Sequence, residues 1–143
     1  MVKFIPVDLT LPLRSKILRN GKPFSDCIYP TDEVAGIFHL GFYLNEEIVS
    51  IATFFPNNYK SNKSLGYQLR GMATDQGHLG RGYGKQIIKF AVEYIRNTNA
   101  QYIWCNARTS AIQFYQKLGF ELVSEEFEMA EIGPHYEMIL KLN

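Results

Sequence analysis

Glycines stand at positions 77, 80, 82 and 84, between a strand-like stretch at 67–74 and a long helical pattern that begins at Tyr83. Without side chains the backbone there can come close to a ligand, and the first amides of the following helix have no partner of their own. Those amides and the positive end of the helix dipole suit a phosphate or diphosphate, to which Lys85 adds a cation in the first turn. Spacing narrows the choice. A dinucleotide fingerprint needs glycine at relative positions one, three and six, but counting from Gly80 puts Lys85 sixth, and counting from Gly82 puts Ile87 there. A triphosphate loop needs glycine where Leu79 stands and Ser or Thr where Gln86 stands. Neither pattern is met. Taken alone, the turn also fits a connector that holds no ligand.

No repeat, low-complexity tract or long linker divides the chain, so 143 residues, 46% of them hydrophobic, predict a single domain over 1–143 with one core. Lys and Arg total 15 against 14 Asp and Glu, and a formal charge of +1 gives little attraction for nucleic acid or an anionic membrane. The apolar run at 48–55 is too short to span a bilayer. Cys27 and Cys105 lie far apart in a chain with no secretory signal and read as reduced thiols, which points to the cytoplasm. His39, His78 and His135 show no metal-ligand spacing with one another or with the cysteines, so no metal is expected.

The periodicity predicts a mixed α/β (α+β) order. Residues 2–7 read as a first strand, 11–19 as a short helix with Pro12 in its first turn, and 20–33 as an irregular surface loop. Residues 34–44 and 47–55 form β-branched and aromatic runs around Asn45 and Glu46, the layout of a tight hairpin. Tyr83, Ile87, Phe90, Ala91 and Tyr94 recur at helical spacing. A buried strand follows at 101–107, then a helix at 110–118 with Ser110 as N-cap and Gly119 as its stop. Residues 120–129 and 135–142 close the chain as two strands.

Three segments together carry a resemblance: Arg70-Gly71-Met72-Ala73-Thr74, the turn Leu79-Gly80-Arg81-Gly82-Tyr83-Gly84, and the run Ala111 to Phe120. The chain resembles the GNAT superfamily of acyl-CoA-dependent N-acyltransferases, and its close, Glu126 to Glu128 and Gly133 to His135, is similar to a small bacterial ElaA-like branch. The likeness covers roughly the last 75 residues. It implies a strongly twisted mixed sheet of about six or seven strands flanked by helices, with the strands at 67–74 and 101–107 splayed to form a cleft for coenzyme A. On that reading Met72, Ala73 and Thr74 lie along the pantetheine arm, and Leu79, Gly80, Arg81, Gly82, Tyr83, Gly84 and Lys85 hold the diphosphate. Two positions depart from the superfamily pattern. Leu79 stands where Gln or Arg is usual, and Arg108 where Asn is common, with Asn106 two residues earlier as the remaining polar contact to the arm.

The implied reaction moves an acetyl group from acetyl-CoA to a primary amine of a small molecule or protein, which requires a neutral amine, a polarised carbonyl and a proton for the departing thiolate. The resemblance assigns the last role to Tyr115, although Tyr115 shares an apolar face with Ala111, Ile112 and Leu118 and by spacing alone fits a core residue equally. It assigns the oxygen donor to the backbone amide of Met72. The base stays open among His135, Glu126, Glu137 and ordered water, and Arg70 and Arg108 are candidates to meet an anionic part of the acceptor. A non-catalytic acyl-CoA binding or sensing module is the alternative, with a nucleotide-binding regulatory domain more distant. Homodimers occur in the superfamily, but no exposed apolar stripe marks one here.

Overall fold

The computed structural model describes residues 1–60, 62–130 and 132–142. Strand β1 (Val2–Ile5) pairs antiparallel with β2 (Phe38–Leu44), and β2 with β3 (Glu47–Pro56). Asn45 and Glu46 both take positive φ, 50° and 69°, so the expected hairpin closes on a two-residue turn whose twist matches the strands. Between β1 and β2 the chain forms a short helix α1 (Leu11–Leu13), a wider turn over Arg14–Leu18, and 3-10 turns at Phe24–Cys27 and Pro30–Glu33. The segment expected as surface loop is thus partly interior. Cys27 is wholly buried and Tyr29 only 5% exposed.

Strand β4 (Gly66–Thr74) continues the antiparallel order against β3, and helix α2 (Tyr83–Arg96) follows it. Gly84, Ile87, Ile88, Ala91 and Ile95 form the buried stripe of α2, packed with Leu40, Ala52 and Phe54 of the sheet. Each fully buried isoleucine there contributes about 1.5–3 kcal/mol. The opposite sheet face carries Ile51 and Ala73, covered by Ile5 and Leu13. Because both faces are covered, β3 is buried continuously from Val49 to Phe55 instead of alternating.

Strand β5 (Tyr102–Arg108) leads through a 3-10 turn at Thr109–Ala111 into helix α3 (Ile112–Lys117). Ser110 lies inside that turn and makes no cap; Ala111 holds the N-cap position, a correction to the expected start. The other end is as expected. The amide of Gly119 donates to the Gln116 carbonyl at 3.0 Å and that of Phe120 to the Tyr115 carbonyl at 3.1 Å, closing the helix in a Schellman motif.

The segment expected as one strand at 120–129 forms two, β6 (Glu121–Leu122) and β7 (Phe127–Met129), both antiparallel to β8 (Gly133–Lys141). Leu122 faces Met138 and Phe127 faces His135, so five steps along the first segment match three on β8, and the surplus loops out. The sheet therefore has eight strands, ordered β1-β2-β3-β4-β5-β8-β6 with β7 also on β8, where about six or seven were expected. No described helix is long and apolar enough to cross a membrane.

Candidate active site

Among the described residues only β4 and β5 pair in parallel, and only from Gly66 opposite Tyr102 to Leu69 opposite Cys105. Beyond Leu69 they separate. On its other edge β4 bulges: Ile51 faces Ala73 and Thr53 faces Arg70, so Gly71 and Met72 together oppose Ala52. A bulge sharpens local twist and re-aims the strand. At Gly71, with φ 65°, a Cβ would stand 3.1 Å from the Tyr29 ring and 3.4 Å from Arg14 Nε. Meanwhile β5 stays paired with β8 as far as Arg108 opposite His135. The two strands therefore diverge around a cavity of about 930 Å³.

Every residue assigned from the sequence to the coenzyme or to catalysis lines that cavity. From β4 come Met72, Ala73 and Thr74; from the glycine junction Leu79, Gly80, Arg81, Gly82, Tyr83, Gly84 and Lys85; from β5 and α3 Asn106 and Tyr115. Gly82 is the N-cap of α2 at φ 82°, and Gly80 has φ 75°. A Cβ at either would meet nothing within 4 Å, so these glycines serve backbone conformation and leave the loop facing open space. The first helical bond runs from the Gln86 amide to the Gly82 carbonyl at 3.0 Å, and the amides before it, at Tyr83, Gly84 and Lys85, are those a helix leaves without an internal acceptor. Gly84 serves closeness instead. Its Cβ would stand 3.2 Å from Met72 Cε and 3.3 Å from Phe114 Cζ, which lets the start of α2 rest against the bulge.

A cleft between splayed strands, ending at an uncapped helix N-terminus in a glycine turn, has the shape and polarity for a pantetheine arm and its diphosphate. Residues 12–120 match the acetyltransferase (GNAT) family. The chain belongs to that family.

This GNAT protein is 36% identical over 138 residues to YitI of Bacillus subtilis (strain 168), described as an uncharacterized N-acetyltransferase, with 96% of this chain and 93% of that one covered. Its fold is similar to that of Escherichia coli ElaA, with a TM-score of 0.76, 19% identity, and 98% and 99% of the two chains covered. It is similar also to an aminoglycoside 6'-N-acetyltransferase crystallised with coenzyme A, at a TM-score of 0.78 and 13% identity over 100% of this chain and 97% of that one.

Tyr115 is 7% exposed, its ring edge-on to Phe114 and Phe120 at centroid distances of 5.1 and 5.2 Å. The core reading and the site reading of this residue are both met, because it packs in the apolar cluster and also borders the cavity. Burial, and secondly the neighbouring Cys105, push the phenol well above its ordinary value, so it keeps its proton at neutral pH.

Of the three groups considered as base, His135 borders the cavity and Glu126 and Glu137 do not. His135 is 4% exposed and its Nδ1 lies 2.8 Å from the Gly133 carbonyl, to which it donates. Glu137 instead accepts from the Tyr59 hydroxyl at 2.9 Å and pairs with Lys60 at 2.8 Å. Among the described residues no group of His, Cys, Asp or Glu is placed to hold a metal ion.

One part of the site has no counterpart in the sequence reading. Arg14, fully buried, donates to both oxygens of Asp32 at 2.8 and 3.0 Å, to the Cys27 carbonyl at 3.0 Å and to Thr53 Oγ1 at 2.9 Å. His39 Nδ1 lies 2.7 Å from the same Thr53 hydroxyl. Burial alone would raise the Asp32 carboxyl; the Arg14 hydrogen bonds, the Tyr29 amide and the Arg14 charge outweigh it and hold the group below its ordinary range. This cluster holds Tyr29, the residue of 20–33 that lines the cavity, beside Arg70. A signal existed: Arg14 stands three residues after Leu11 and four before Leu18, on one helical face.

Proposed function

We propose that this chain catalyses direct transfer of an acetyl group from acetyl-CoA to a primary amine of a small molecule or protein. The observation that carries the reading is that the gap past Leu69 and the uncapped start of α2 open into one cavity, in a chain of the acetyltransferase family. The exposed main-chain edge at Met72 and Thr74 suits the amides of the pantetheine arm, as an added strand does. Residues 79–85 take the diphosphate through backbone amides, so a leucine at 79, whose side chain is 61% exposed, does not remove the grip. Asn106, bordering the same gap, is assigned to the arm.

Bound acetyl-CoA supplies an acetyl group already activated as a thioester. The Met72 amide, at the bulge, is assigned as donor to the carbonyl oxygen, where negative charge develops. Tyr115 is assigned as the acid that protonates the departing sulfur, a role that its retained proton and its place at the cavity support. His135, which borders the cavity, is assigned with water to take the proton lost by the amine.

The eight-stranded sheet runs from Val2 to Lys141, which supports reading 1–143 as one N-acetyltransferase domain. Two buried free thiols, Cys27 and Cys105, fit the cytoplasm, and the near-zero charge fits a role without nucleic acid or membrane. Whether the protein is a monomer or a homodimer is read by sedimentation. The activity is tested by following free thiol from acetyl-CoA while amines are screened. Release of coenzyme A only when an amine is present is the expected result; acetyl-CoA binding with no release to any amine would leave the sensing module as the better reading.

A further inference from the structure

The cavity has two ends of different make. Arg81 and Lys85 lie at the glycine junction, whereas Arg19, Arg70 and Arg108 border the cavity elsewhere, on the segment before Tyr29, on β4 ahead of the bulge and at the end of β5. Among the described residues no Asp or Glu lines the cavity at all. Among the described residues no ion pair accounts for these cations.

Tyr29 makes the imbalance specific. The guanidinium carbons of Arg14, Arg70 and Arg19 lie 3.9, 4.0 and 6.0 Å from the centre of its ring. Among the described residues the carboxylate paired with this group is Asp32, and Arg14 occupies both of its oxygens while the Tyr29 amide donates to one of them at 2.8 Å. Arg70 is left half-buried with a long 3.5 Å contact to Thr31 Oγ1 and no ion pair among the described residues. Burial, with Arg14 and Arg19 acting in the same direction, disfavours its charge, yet a guanidinium does not give up its proton near neutral pH. A planar fork of donors, held in place by a ring and bordering a cavity with no carboxylate among its described lining residues, matches a carboxylate.

We infer that the acceptor is a small amine that also carries a carboxylate, an amino-acid-type molecule, and that Arg70, seated on Tyr29 and flanked by Arg19, binds that carboxylate. The inference rests on the acetyltransferase reading and adds its acceptor class. Diamines and other polycations are disfavoured, because each extra positive charge meets guanidinium with no acid among the described lining residues to balance it. The positive surroundings also favour the neutral, nucleophilic form of the acceptor amine.

The probes are the twenty common amino acids, each set against its carboxamide, together with cadaverine. A melting scan with acetyl-CoA comes first: no shift would sink the acetyltransferase reading itself, whatever the acceptor. Given a shift, thiol release should show at least one amino acid used tenfold or more better in kcat/KM than its carboxamide. Arg70→Gln should bring that ratio close to one, mainly by raising KM for the acid, while keeping the acetyl-CoA melting shift; Arg70→Lys should restore part of it. Should Arg70→Gln fail to fold, Arg19→Gln, on the outer side of Tyr29, should lower the same ratio. Carboxamides or cadaverine used as well as the acids, a ratio untouched in the folded variants, or an acetyl-CoA-binding protein that accepts none of the amino acids would each overturn the assignment.

Discussion

Leu69 and Cys105 form the last rung between β4 and β5, and the groups assigned to donor binding and catalysis lie at or beyond that point. The rung is last because of the bulge two residues on, where Gly71 takes φ 65° and a Cβ would stand 3.1 Å from the Tyr29 ring. Replacing Gly71 with valine would add left-handed strain and a clash at once. The Gly71→Val variant should lose about 1–3 kcal/mol of stability in urea denaturation and bind acetyl-CoA more weakly, since the strand edge would be displaced.

Gly82→Val separates loop conformation from packing. Its φ of 82° suits glycine, and a side chain there would meet open space, not protein. We therefore expect a modest cost, about 1–2 kcal/mol from the left-handed backbone. Coenzyme A at about a hundred times its Kd should stabilise the parent by roughly 2.7 kcal/mol, and the variant should lose most of that; ATP and NAD should give none in either protein. Full retention of the coenzyme effect would refute the assigned turn.

Tyr115→Phe should lower kcat by roughly tenfold or more with the affinity for coenzyme A preserved, as loss of a proton donor requires. Unchanged turnover would remove Tyr115 from the mechanism. The same burial has an alkaline signature. Tyr115 and Cys105 both have folded values raised above their ordinary 10.0 and 9.0, so the stability linked to their neutral forms is complete below those values and declines as pH rises beyond them. Denaturation midpoints should therefore fall above pH 9–10, and the Tyr115→Phe variant should fall less.

Asp32→Ala should be the most damaging of these changes. Asp32 and Arg14 side chains are 3% and 0% exposed, and removing one partner strands a buried guanidinium at a cost of about 3–5 kcal/mol. Asp32 has a folded value below its ordinary 3.8, so its contribution is present above that pH and is lost as the pH falls through the lower folded value. Urea midpoints taken on both sides of pH 3.8 should show this acid slope in the parent and a weaker one in the variant.

The strand, glycine turn and helix assigned to the donor were legible in the sequence because they are local: glycine spacing, a strand before and a helical stripe after all lie within 67–96. The hairpin at Asn45 and the stop at Gly119 were legible for the same reason. The rest depends on distant partners. Arg14 reaches Asp32 eighteen positions away and Thr53 thirty-nine away, so although its spacing from Leu11 and Leu18 places it on an apolar face, its partners and its hold on Tyr29 do not follow from its neighbours in sequence. The break in 120–129 is likewise set from afar, where Ser124 Oγ accepts the Glu137 amide at 2.8 Å in place of a strand partner. The N-cap expected at Ser110 moved because β5 runs on into a 3-10 turn before α3 can begin.

The grip assigned to the donor is made of peptide groups, and the wall beside Tyr29 is made of side chains. On the proposed assignment, point changes at positions 19, 70 and 108 would redirect which molecule is acetylated while the reagent that delivers the acetyl group stays the same. Among descendants of such a gene, a handful of codons would suffice to found a new specificity, and the glycine junction would pass to each of them intact.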